Sequence, residues 1–349
     1  MTKETGGDGR EGLSTSFAEV SEVPAVTVVI PCWNCQQRIA RAIQSVLDQD
    51  HPNLRLVVID DGSSDDSLEV IKSFGDRLDW ETGPNLGVAH ARNRGLELAT
   101  SEYIQFLDAD DYLEGALVSG LVRTAVAENA DLTLGPTVIE SPDGKRSART
   151  GSASKLPNPE MVRAWLEGRY VQTGGLFWRR EYLNRIGGWD RRDPRHDDVE
   201  IAVRALLDGA RVAVSCDGVA VWCDHSGPAR QSHRKDPGTW AATVDWLSRH
   251  GTVAASRHPG LELTFARELY ALARRALASG RHQAAVQALR EARKLGLRGH
   301  PGSRLRAVLC RMIGMPMAEY AVIAVRITRT TLKRLWRSVW AFSGRSIAY

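Results

Sequence analysis

Three aspartates follow one short hydrophobic segment of the chain. The segment is "YIQFLDADDYLEG", residues 103–115, and its aspartates are Asp108, Asp110 and Asp111. Carboxylates a few ångströms apart raise one another's pKa and oppose folding, unless water reaches them or a cation lies among them. Two structures account for such a cluster: a turn in contact with solvent, or a site for a hard divalent cation, which prefers carboxylate oxygens.

A second acidic pair, Asp60 and Asp61, ends another hydrophobic segment in "LRLVVIDDGSSDDS". Taken alone, this pair is also typical of a turn followed by a helix N-cap. Hydrophobic strands that alternate with amphipathic helices predict a parallel sheet with helices on both faces. Ligands bind beyond the carboxyl ends of the strands in such a sheet, so we expect both acidic groups to line one crevice.

The hydrophobic pattern predicts the order of the elements that position these acids. Runs rich in β-branched residues predict strands, and apolar residues at spacings of three and four predict helices. Together they predict an α/β fold with a small C-terminal α-helical extension. The predicted strands are 25–31, 54–60, 103–108, 131–139 and 210–215, and the predicted helices are 38–49, 68–74, 85–99, 116–129 and 195–209, followed by two helices around "SGRH" beyond residue 262.

The composition is that of an ordinary soluble protein that can bury one full-sized core. The chain has 349 residues, of which 43% are hydrophobic and 25% are charged. Residues 1–24 have no apolar segment and are rich in Gly, Ser, Thr and Glu, which predicts a disordered leader rather than a signal peptide. The five cysteines do not suggest a disulfide framework. These features predict a cytoplasmic protein.

The net charge of +4 is distributed unevenly along the chain. Residues 263–349 carry 17 Lys and Arg against three acids, which leaves a net charge of −10 for residues 1–262. The acidic character of residues 1–262 argues against an enzyme that acts on nucleic acid, and no nucleic-acid partner is expected for the protein as a whole. The basic C-terminal region suggests contact with an anionic surface, for which membrane lipid and nucleic acid are the two candidates.

One segment of the basic C-terminal region, residues 241–349, has the character of a membrane-binding helix. In "EYAVIAVRITRTTLKRLWRSVWAF", residues 319–342, basic residues fall on one helical face beside an apolar stripe. The apolar run is too short to span a bilayer. The pattern predicts a helix that lies on anionic lipid at the inner face of the membrane. The alternative is a helix packed on the catalytic domain with its basic face in solvent.

Five groups of short segments occur in the order "VTVVIPCWN", "VVIDDGSSDDS", "NLGVAHARNRG", "FLDADD" and "GGWD" with "HDDVEIAVRALLDG". Together they resemble the inverting family 2 glycosyltransferases of the GT-A fold, a Rossmann-like α/β fold of nucleotide-diphospho-sugar transferases. The resemblance covers residues 25–235, within a predicted catalytic domain of residues 25–240. It implies transfer of a sugar from a nucleotide-diphosphate donor, predicted to be a UDP-sugar, to a hydroxyl of a glycan or lipid-linked acceptor. It also implies Mg²⁺ or Mn²⁺ as cofactor.

The resemblance implies which residues bind the donor. Pro31 and Trp33 would border the nucleotide base, and Asp61 would accept a hydrogen bond from the N–H of a uracil-type ring. The residue types agree, because an ionised aspartate only accepts hydrogen bonds and the pyrimidine ring offers one imide N–H. The implied donor-binding residues are Pro31, Trp33, Asn34, Asp60, Asp61, Asn85, Gly87, Arg92, Asn93, Asp108 and Ala109.

The metal ligands and the catalytic base are implied in the same way. Asp110 would bind the metal, Asp108 would help to hold the ribose and the metal, and His225 in "CDHSG" would reach the metal or the diphosphate. Asp198 in "HDD" matches the general base, although Asp197 stands where the family has a glutamate. Helix capping is the alternative explanation for the two acids of "HDD", and a structural role is the alternative for the histidine.

The acceptor is expected to contact a further group of residues. Trp189 has the size and shape to stack on a sugar, but core packing explains an aromatic residue here equally well. The predicted acceptor-binding residues are Gly174, Gly175, Trp189 and Asp197.

Three other functions agree less well with the sequence. An aspartyl-phosphate phosphatase needs a small hydroxyl residue after its two aspartates, where this chain has Asp111 and Tyr112. A signalling receiver built around Asp60 is less than half as long as this chain. A catalytically weak scaffold that only binds nucleotide-sugars is the remaining alternative, and the presence of Asp110 and Asp198 argues against it.

Two arrangements of cysteines are also possible sites on spacing alone. Cys32 and Cys35 in "CWNC" have the spacing of a redox motif, but no thioredoxin-like context surrounds them. Adding Cys216 and Cys223 would give four zinc ligands, but the spacing of the second pair is poor for zinc.

Overall fold

The computed structural model describes residues 23–148, 156–192, 197–225 and 238–298. The strands in these ranges are β1 Val26–Cys32, β2 Leu54–Asp60, β3 Asp79–Thr82, β4 Tyr103–Phe106, β5 Tyr112–Glu114, β6 Leu132–Leu134, β7 Thr137–Glu140, β8 Arg146–Ala148, β9 Leu176–Arg179, β10 Val212–Val214 and β11 Val219–Cys223. The α-helices are α1 Ile39–Leu47, α2 Ser67–Lys72, α3 Val88–Leu98, α4 Leu117–Ala127, α5 Asn158–Leu166, α6 Arg180–Arg185, α7 Asp197–Asp208, α8 Gly238–Arg257, α9 Glu262–Ala278 and α10 His282–Lys294.

The main sheet has seven strands in the order β10-β6-β9-β4-β1-β2-β3. Strands β1 to β4 run parallel to their neighbours among these four, as the sequence predicts. The sheet is nevertheless mixed, because β9 is antiparallel to both β4 and β6. Gly135, just after β6, donates its N–H to the carbonyl of Gly175, just before β9. Strand β9 therefore starts where β6 ends and runs back, a direction that a continuous hydrophobic segment does not encode.

A second, four-stranded sheet has the order β5-β11-β7-β8. It includes β7, whereas β6 lies in the main sheet, so the single strand predicted at 131–139 is wrong. Gly135 and Pro136 separate the two strands, and proline cannot donate a ladder hydrogen bond. Strand β3 was not predicted from the sequence, because "DWET" is an exposed edge strand without an apolar run.

The main sheet is buried on both faces by helices. Alternate residues of β1 separate the two sides: Val29 belongs to the core beneath α3, α5 and α7, and Val28 and Ile30 belong to the core beneath α1, α2 and α4. Residues of α8, α9 and α10, such as Phe265, join the first of these cores. The described C-terminal helices therefore pack on the same core as the sheet.

The helix pair predicted around "SGRH" is confirmed as α9 and α10, which are joined at Ser279 to Arg281. Helix α8 was not predicted. The tail helix of residues 319–342 and most of the leader lie outside the described residues, so both remain predictions. No helix in the described ranges is long and apolar enough to cross a membrane.

The close approach of α3 to β1 depends on Gly95, the last glycine of "NLGVAHARNRG". A Cβ at this position would overlap the methyl groups of Val29. We expect Gly95→Ala to lower the free energy of unfolding by about 1–3 kcal/mol, because overpacking outweighs the helix propensity that alanine gains. Urea denaturation would measure this loss.

The matched control is Gly83→Ala, since a Cβ at Gly83 meets no atom within 4 Å. Equal stability of the two variants would contradict the tight packing of α3 on the sheet.

Candidate active site

A buried arginine joins three elements at the carboxyl edge of the main sheet. Arg92 lies on the inner face of α3 and is only 3% exposed. Its Nη2 donates to Asp108 Oδ1 at 2.6 Å, and its Nη1 donates to Asp197 Oδ2 at 2.5 Å. Its guanidinium lies 4.3 Å from the ring centroid of Trp189. One side chain therefore links the end of β4 to the start of α7.

The charges of this group are strongly coupled. Burial alone would lower the pKa of Arg92, but Asp197 and Asp108 outweigh burial and hold the pKa above its usual range. Burial raises the pKa of Asp197 to about 7, and the charges of Asp198 and Asp108 add to this rise while Arg92 opposes it. A single positive charge thus faces three carboxyl groups in a partly dry site.

Trp189 forms a wall beneath Arg92. It is 2% exposed and packs edge-to-face on Phe106, with ring centroids 5.1 Å apart. The Asn93 amide holds its backbone by two hydrogen bonds, from Trp189 N–H to Asn93 Oδ1 at 2.8 Å and from Asn93 Nδ2 to the Trp189 carbonyl at 2.9 Å. The preceding Gly188 has a φ of +63°, and a Cβ there would clash with Asn93 Oδ1. Asn93, predicted to contact the donor, therefore acts on the protein itself in this structure.

The predicted acceptor-binding residues are all buried. Gly174 and Gly175 lie in the contact between the two sheets, where a Cβ on Gly175 would meet Thr137 and Val171 at about 2.5 Å. Gln105 Nε2 donates to the Gly174 carbonyl at 2.6 Å. Tight packing explains both glycines, and Trp189 has no exposed ring face on which a sugar could stack. Gly174, Gly175, Trp189 and Asp197 are all buried in this structure, and their predicted role in acceptor binding stays a prediction.

Asp61 fixes the loop that leads into α3. Its Oδ1 accepts the N–H of Leu86 and its Oδ2 accepts the N–H of Gly87, both at 2.8 Å. Each carboxylate oxygen keeps a second lone pair, so a hydrogen bond to a nucleotide base remains compatible with these contacts. Asp60 accepts hydrogen bonds from Thr82 Oγ1 at 2.6 Å and from Ser63 N–H at 3.3 Å, as expected for turn chemistry.

The loop after β1 connects the two acidic groups. Asn34 adopts a φ of +50°, donates its N–H to Ser63 Oγ at 3.0 Å and accepts the N–H of Ser64 at 2.7 Å. Cys35 Sγ donates to the carbonyl of the buried Ala109 at 3.4 Å. This loop therefore contacts both the β2 turn and the "DAD" segment. The nearby predicted donor-binding residues are the buried Pro31, the half-buried Trp33 and Gly87 and the exposed Asn85.

The predicted metal ligands Asp110 and His225 meet. Asp110 Oδ2 lies 2.6 Å from His225 Nε2, and the side chains of Asp110 and Asp108 are 27% and 30% exposed. Asp111 instead is buried and accepts the N–H of Cys223 at 2.9 Å, so its role is structural. No cluster of three or more His, Cys, Asp or Glu residues within the described ranges could hold a metal ion. The carboxylates of Asp108 and Asp110 suit Mg²⁺ or Mn²⁺, because these ions bind one or two carboxylates and take their other ligands from water and phosphate.

The two acids that open α7 differ in accessibility. Both oxygens of Asp197 are engaged, by Arg92 and by the N–H of Asp198 at 2.9 Å. Asp198 is half-buried and accepts the N–H of Val199 at 2.8 Å. Of the two carboxylates, Asp198 is therefore the one that a ligand in the crevice can reach.

The cysteines of "CWNC" have no redox or zinc-binding character. Cys32, Cys35, Cys216 and Cys223 are free thiols. Burial raises the pKa of Cys32 to about 12 and also raises that of Cys35, which disfavours the reactive thiolates.

Comparison with protein families matches residues 27–187 to "Glycosyl transferase family 2". This segment, less than half of the chain, is therefore similar to glycosyl transferase family 2. The Escherichia coli glycosyltransferase YibD is 32% identical over 228 residues, which are 60% of this chain and 64% of YibD. The glycosyltransferase GlyA of Streptococcus pneumoniae is 33% identical over 113 residues, 32% of this chain and 16% of GlyA. The chain thus spans less than two thirds of either curated relative.

Solved structures of glycosyltransferases share the fold. TarS of Staphylococcus aureus, residues 1–349 in complex with UDP-GlcNAc, has a TM-score of 0.56 at 17% identity, covering 78% of this chain and 90% of the TarS chain. The mannosyltransferase PcManGT of Pyrobaculum calidifontis, in complex with GDP-Man and Mn²⁺, has a TM-score of 0.50 at 20% identity, covering 91% of this chain and 88% of the other. The mixed α/β fold around the central sheet is the GT-A fold of this family.

The sequence did not reveal one buried group next to the site. On α7, Glu200 and Arg204 form an ion pair at 2.9 Å, and His250 of α8 lies 3.1 Å from the other oxygen of Glu200. The i,i+4 spacing of the pair on a helix with a broad apolar face was the available signal. No sequence signal pointed to His250, because helix α8 was not predicted from the sequence.

The raised pKa of Asp197 predicts how stability depends on pH. The pKa of an aspartate is about 3.9 in an unfolded chain, but that of Asp197 is raised to about 7 in the folded protein. Protonation of Asp197 therefore stabilises the folded protein. This contribution to the free energy of unfolding is fully present below about pH 4 and is lost as the pH rises through about 7. Asparagine does not titrate, so the unfolding free energy of Asp197→Asn minus that of wild type should increase as the pH rises from about 4 to 8. Urea denaturation at several pH values would measure this difference.

Asp131→Asn is the control of opposite sign. Although burial tends to raise the pKa of Asp131, its hydrogen bonds with Arg211 outweigh burial and lower it. The contribution of Asp131 to stability is present above its pKa in the unfolded chain and is lost only in more acidic solution. The difference in unfolding free energy between Asp131→Asn and wild type should therefore stay constant between about pH 5 and 8. A pH-independent difference for Asp197→Asn would show that this carboxyl is ionised throughout.

Proposed function

We propose that this protein transfers a sugar from a nucleotide-diphosphate donor, a UDP-sugar, to a hydroxyl of a glycan or lipid-linked acceptor, with inversion and with a divalent metal. The observation that carries the proposal is the Arg92 bridge, which pairs with Asp108 of the "DAD" segment and with Asp197 at the start of α7 and so brings these two segments to one site. Inverting transfer requires the metal-binding site and the catalytic base to lie on opposite faces of the sugar.

The donor side is supported by the turn at Asp61. Its carboxylate lies beyond the carboxyl end of β2, where open α/β sheets bind ligands. It is an acceptor suited to the imide N–H of a uracil ring. The structural neighbours with the same fold bind UDP-GlcNAc and GDP-Man, which supports a nucleotide-diphosphate sugar as the donor class.

The metal side is supported by the partly exposed carboxylate of Asp110, which lies beside His225. Asp110 together with Asp108 or His225 would hold Mg²⁺ or Mn²⁺, with water and phosphate as the other ligands, and the ion would supply positive charge for the leaving diphosphate. The ion pair with Arg92 keeps Asp108 at the end of β4, so the carboxylates of this segment are held in place before a ligand arrives.

The transfer step needs a base on the face opposite the diphosphate. The acceptor hydroxyl gives its proton to the carboxylate of Asp198 as its oxygen forms a bond to the anomeric carbon. The bond from that carbon to the diphosphate oxygen breaks, and the diphosphate leaves with the electron pair. The accessibility of Asp198 supports it as the base, whereas the contacts of Asp197 favour a role in holding Arg92.

Asp198→Asn tests the base. We expect it to keep UDP binding and thermal stability but to lose transfer by about 10²-fold or more, because the amide cannot accept the proton. Turnover would be measured by UDP release with the active member of a UDP-sugar panel. Asp197→Asn is the matched comparison and should lose less turnover than Asp198→Asn, since its amide oxygen can still accept the hydrogen bond from Arg92. Normal transfer by Asp198→Asn would rule out this residue as the base.

Asp110→Ala tests the metal site. We expect it to abolish turnover and the Mn²⁺-dependent increase in UDP affinity, measured by calorimetry, while the melting temperature stays close to that of wild type. The side chain is partly exposed at the end of a strand, so it contributes little to the core. Asp76→Ala, an exposed aspartate in the turn before β3, is the control and should retain both properties. Undiminished wild-type turnover in EDTA would exclude the metal.

A further inference from the structure

A buried histidine of α8 contacts the helix that carries the proposed base. His250 is 5% exposed, and its Nε2 lies 3.1 Å from Glu200 Oε1. Its Nδ1 lies 2.8 Å from the carbonyl oxygen of Trp246. Both of these oxygens are hydrogen-bond acceptors, so the imidazole of His250 lies between the backbone of α8 and the buried carboxylate of Glu200 on α7.

Glu200 passes this contact to Arg204, one helical turn further along α7. Glu200 is 1% exposed, and its two oxygens accept Arg204 Nε at 3.0 Å and Arg204 Nη2 at 2.9 Å. Burial tends to raise the pKa of Glu200, but the hydrogen bonds from His250 and Arg204 outweigh burial and lower it. The carboxylate therefore stays ionised and contacts both His250 and Arg204.

Arg204 in turn holds the backbone turn before Trp189. Its Nη1 donates to the carbonyl of Ile186, and its Nη2 donates to the carbonyl of Gly188 at 2.6 Å. Gly187 and Gly188 have φ angles of +91° and +63°, so this turn has a conformation that few other residues adopt. Backbone hydrogen bonds from Gly187 N–H to the Asn184 carbonyl and from Gly188 N–H to the Leu183 carbonyl, both at 3.0 Å, close the turn. The Arg204 side chain then satisfies two of its carbonyls.

A second contact from α8 reaches the other side of Trp189. Arg249 Nη2 donates to Asp190 Oδ2 at 3.0 Å. Adjacent residues of α8 therefore hold the chain immediately before and after the tryptophan that packs against Arg92. These contacts come from a helix that lies beyond the family match at 27–187.

We propose that His250 is a positioning residue for sugar transfer: through Glu200 and Arg204 it fixes the turn at 186–188 and thereby the Trp189 ring that orients Arg92 and the start of α7. This proposal rests on the proposed function. The cavity of about 720 Å³ beside this turn is lined by Ile186, Gly188, Trp189, Glu200, Arg204 and Arg249, so the turn lacks dense packing on that side and depends on these polar contacts.

The test compares His250→Ala with His250→Gln, whose amide N–H can still donate to Glu200. We expect His250→Ala to lower kcat by about 10- to 100-fold, as a small misplacement of a catalytic group does, while the UDP affinity changes little. We expect His250→Gln to recover part of kcat. Hydrogen exchange measured by mass spectrometry should become faster at residues 186–190 in His250→Ala but not in α10. His258→Ala, just after α8, is the control and should behave as wild type.

Two results would overturn the proposal. The first is a His250→Ala protein that melts at a lower temperature but keeps wild-type kcat at a temperature where it is folded, because the histidine would then serve stability alone. The second is unchanged exchange at residues 186–190. The exchange measurement needs no turnover, so a wild-type protein that transfers no sugar would refute the proposed function without deciding the contacts of His250.

Discussion

The buried charge of Arg92 is the constraint on which the architecture of the site depends. An arginine withdrawn from water must be paired, and removing one partner of a buried ion pair typically costs about 3–5 kcal/mol. Asp108 supplies one partner from the end of β4 and Asp197 supplies the other from the start of α7. Arg92 of α3 therefore ties the end of β4 to the start of α7.

Several residues that resemble ligand contacts in the sequence also shape the protein around the site. Asn93 uses its whole amide on the backbone of Trp189, and Asp61 uses both oxygens on the loop before α3. Gly95 lets α3 lie directly on β1, which brings Arg92 within reach of its partners. A short motif thus combines residues that face a ligand with residues that shape the backbone, and spacing alone does not separate the two kinds.

The central strands could be predicted because burial on both faces leaves a continuous hydrophobic segment, and β2 at Leu54–Asp60 agrees at both ends. The aspartates at their carboxyl ends could be predicted for the same reason. The direction of β9 and the division of 131–139 between two sheets could not, because partners distant in sequence decide them. The burial of Trp189 could not be predicted either, because an aromatic residue is expected both in a hydrophobic core and on a ligand-binding surface.

The charges around the site extend beyond the segment that matches the family. Within 27–187, Arg92 has Asp108 as an ion-pair partner, whereas Asp197 and the Trp189 ring come from residues further along the chain. The Glu200–Arg204 pair on α7 then takes its third member from α8. A buried charge without partners is strongly unfavourable, so Glu200 needs its contacts with Arg204 and His250. Helix α8, which lies beyond the segment that matches the family, therefore contributes to the polar contacts next to the crevice.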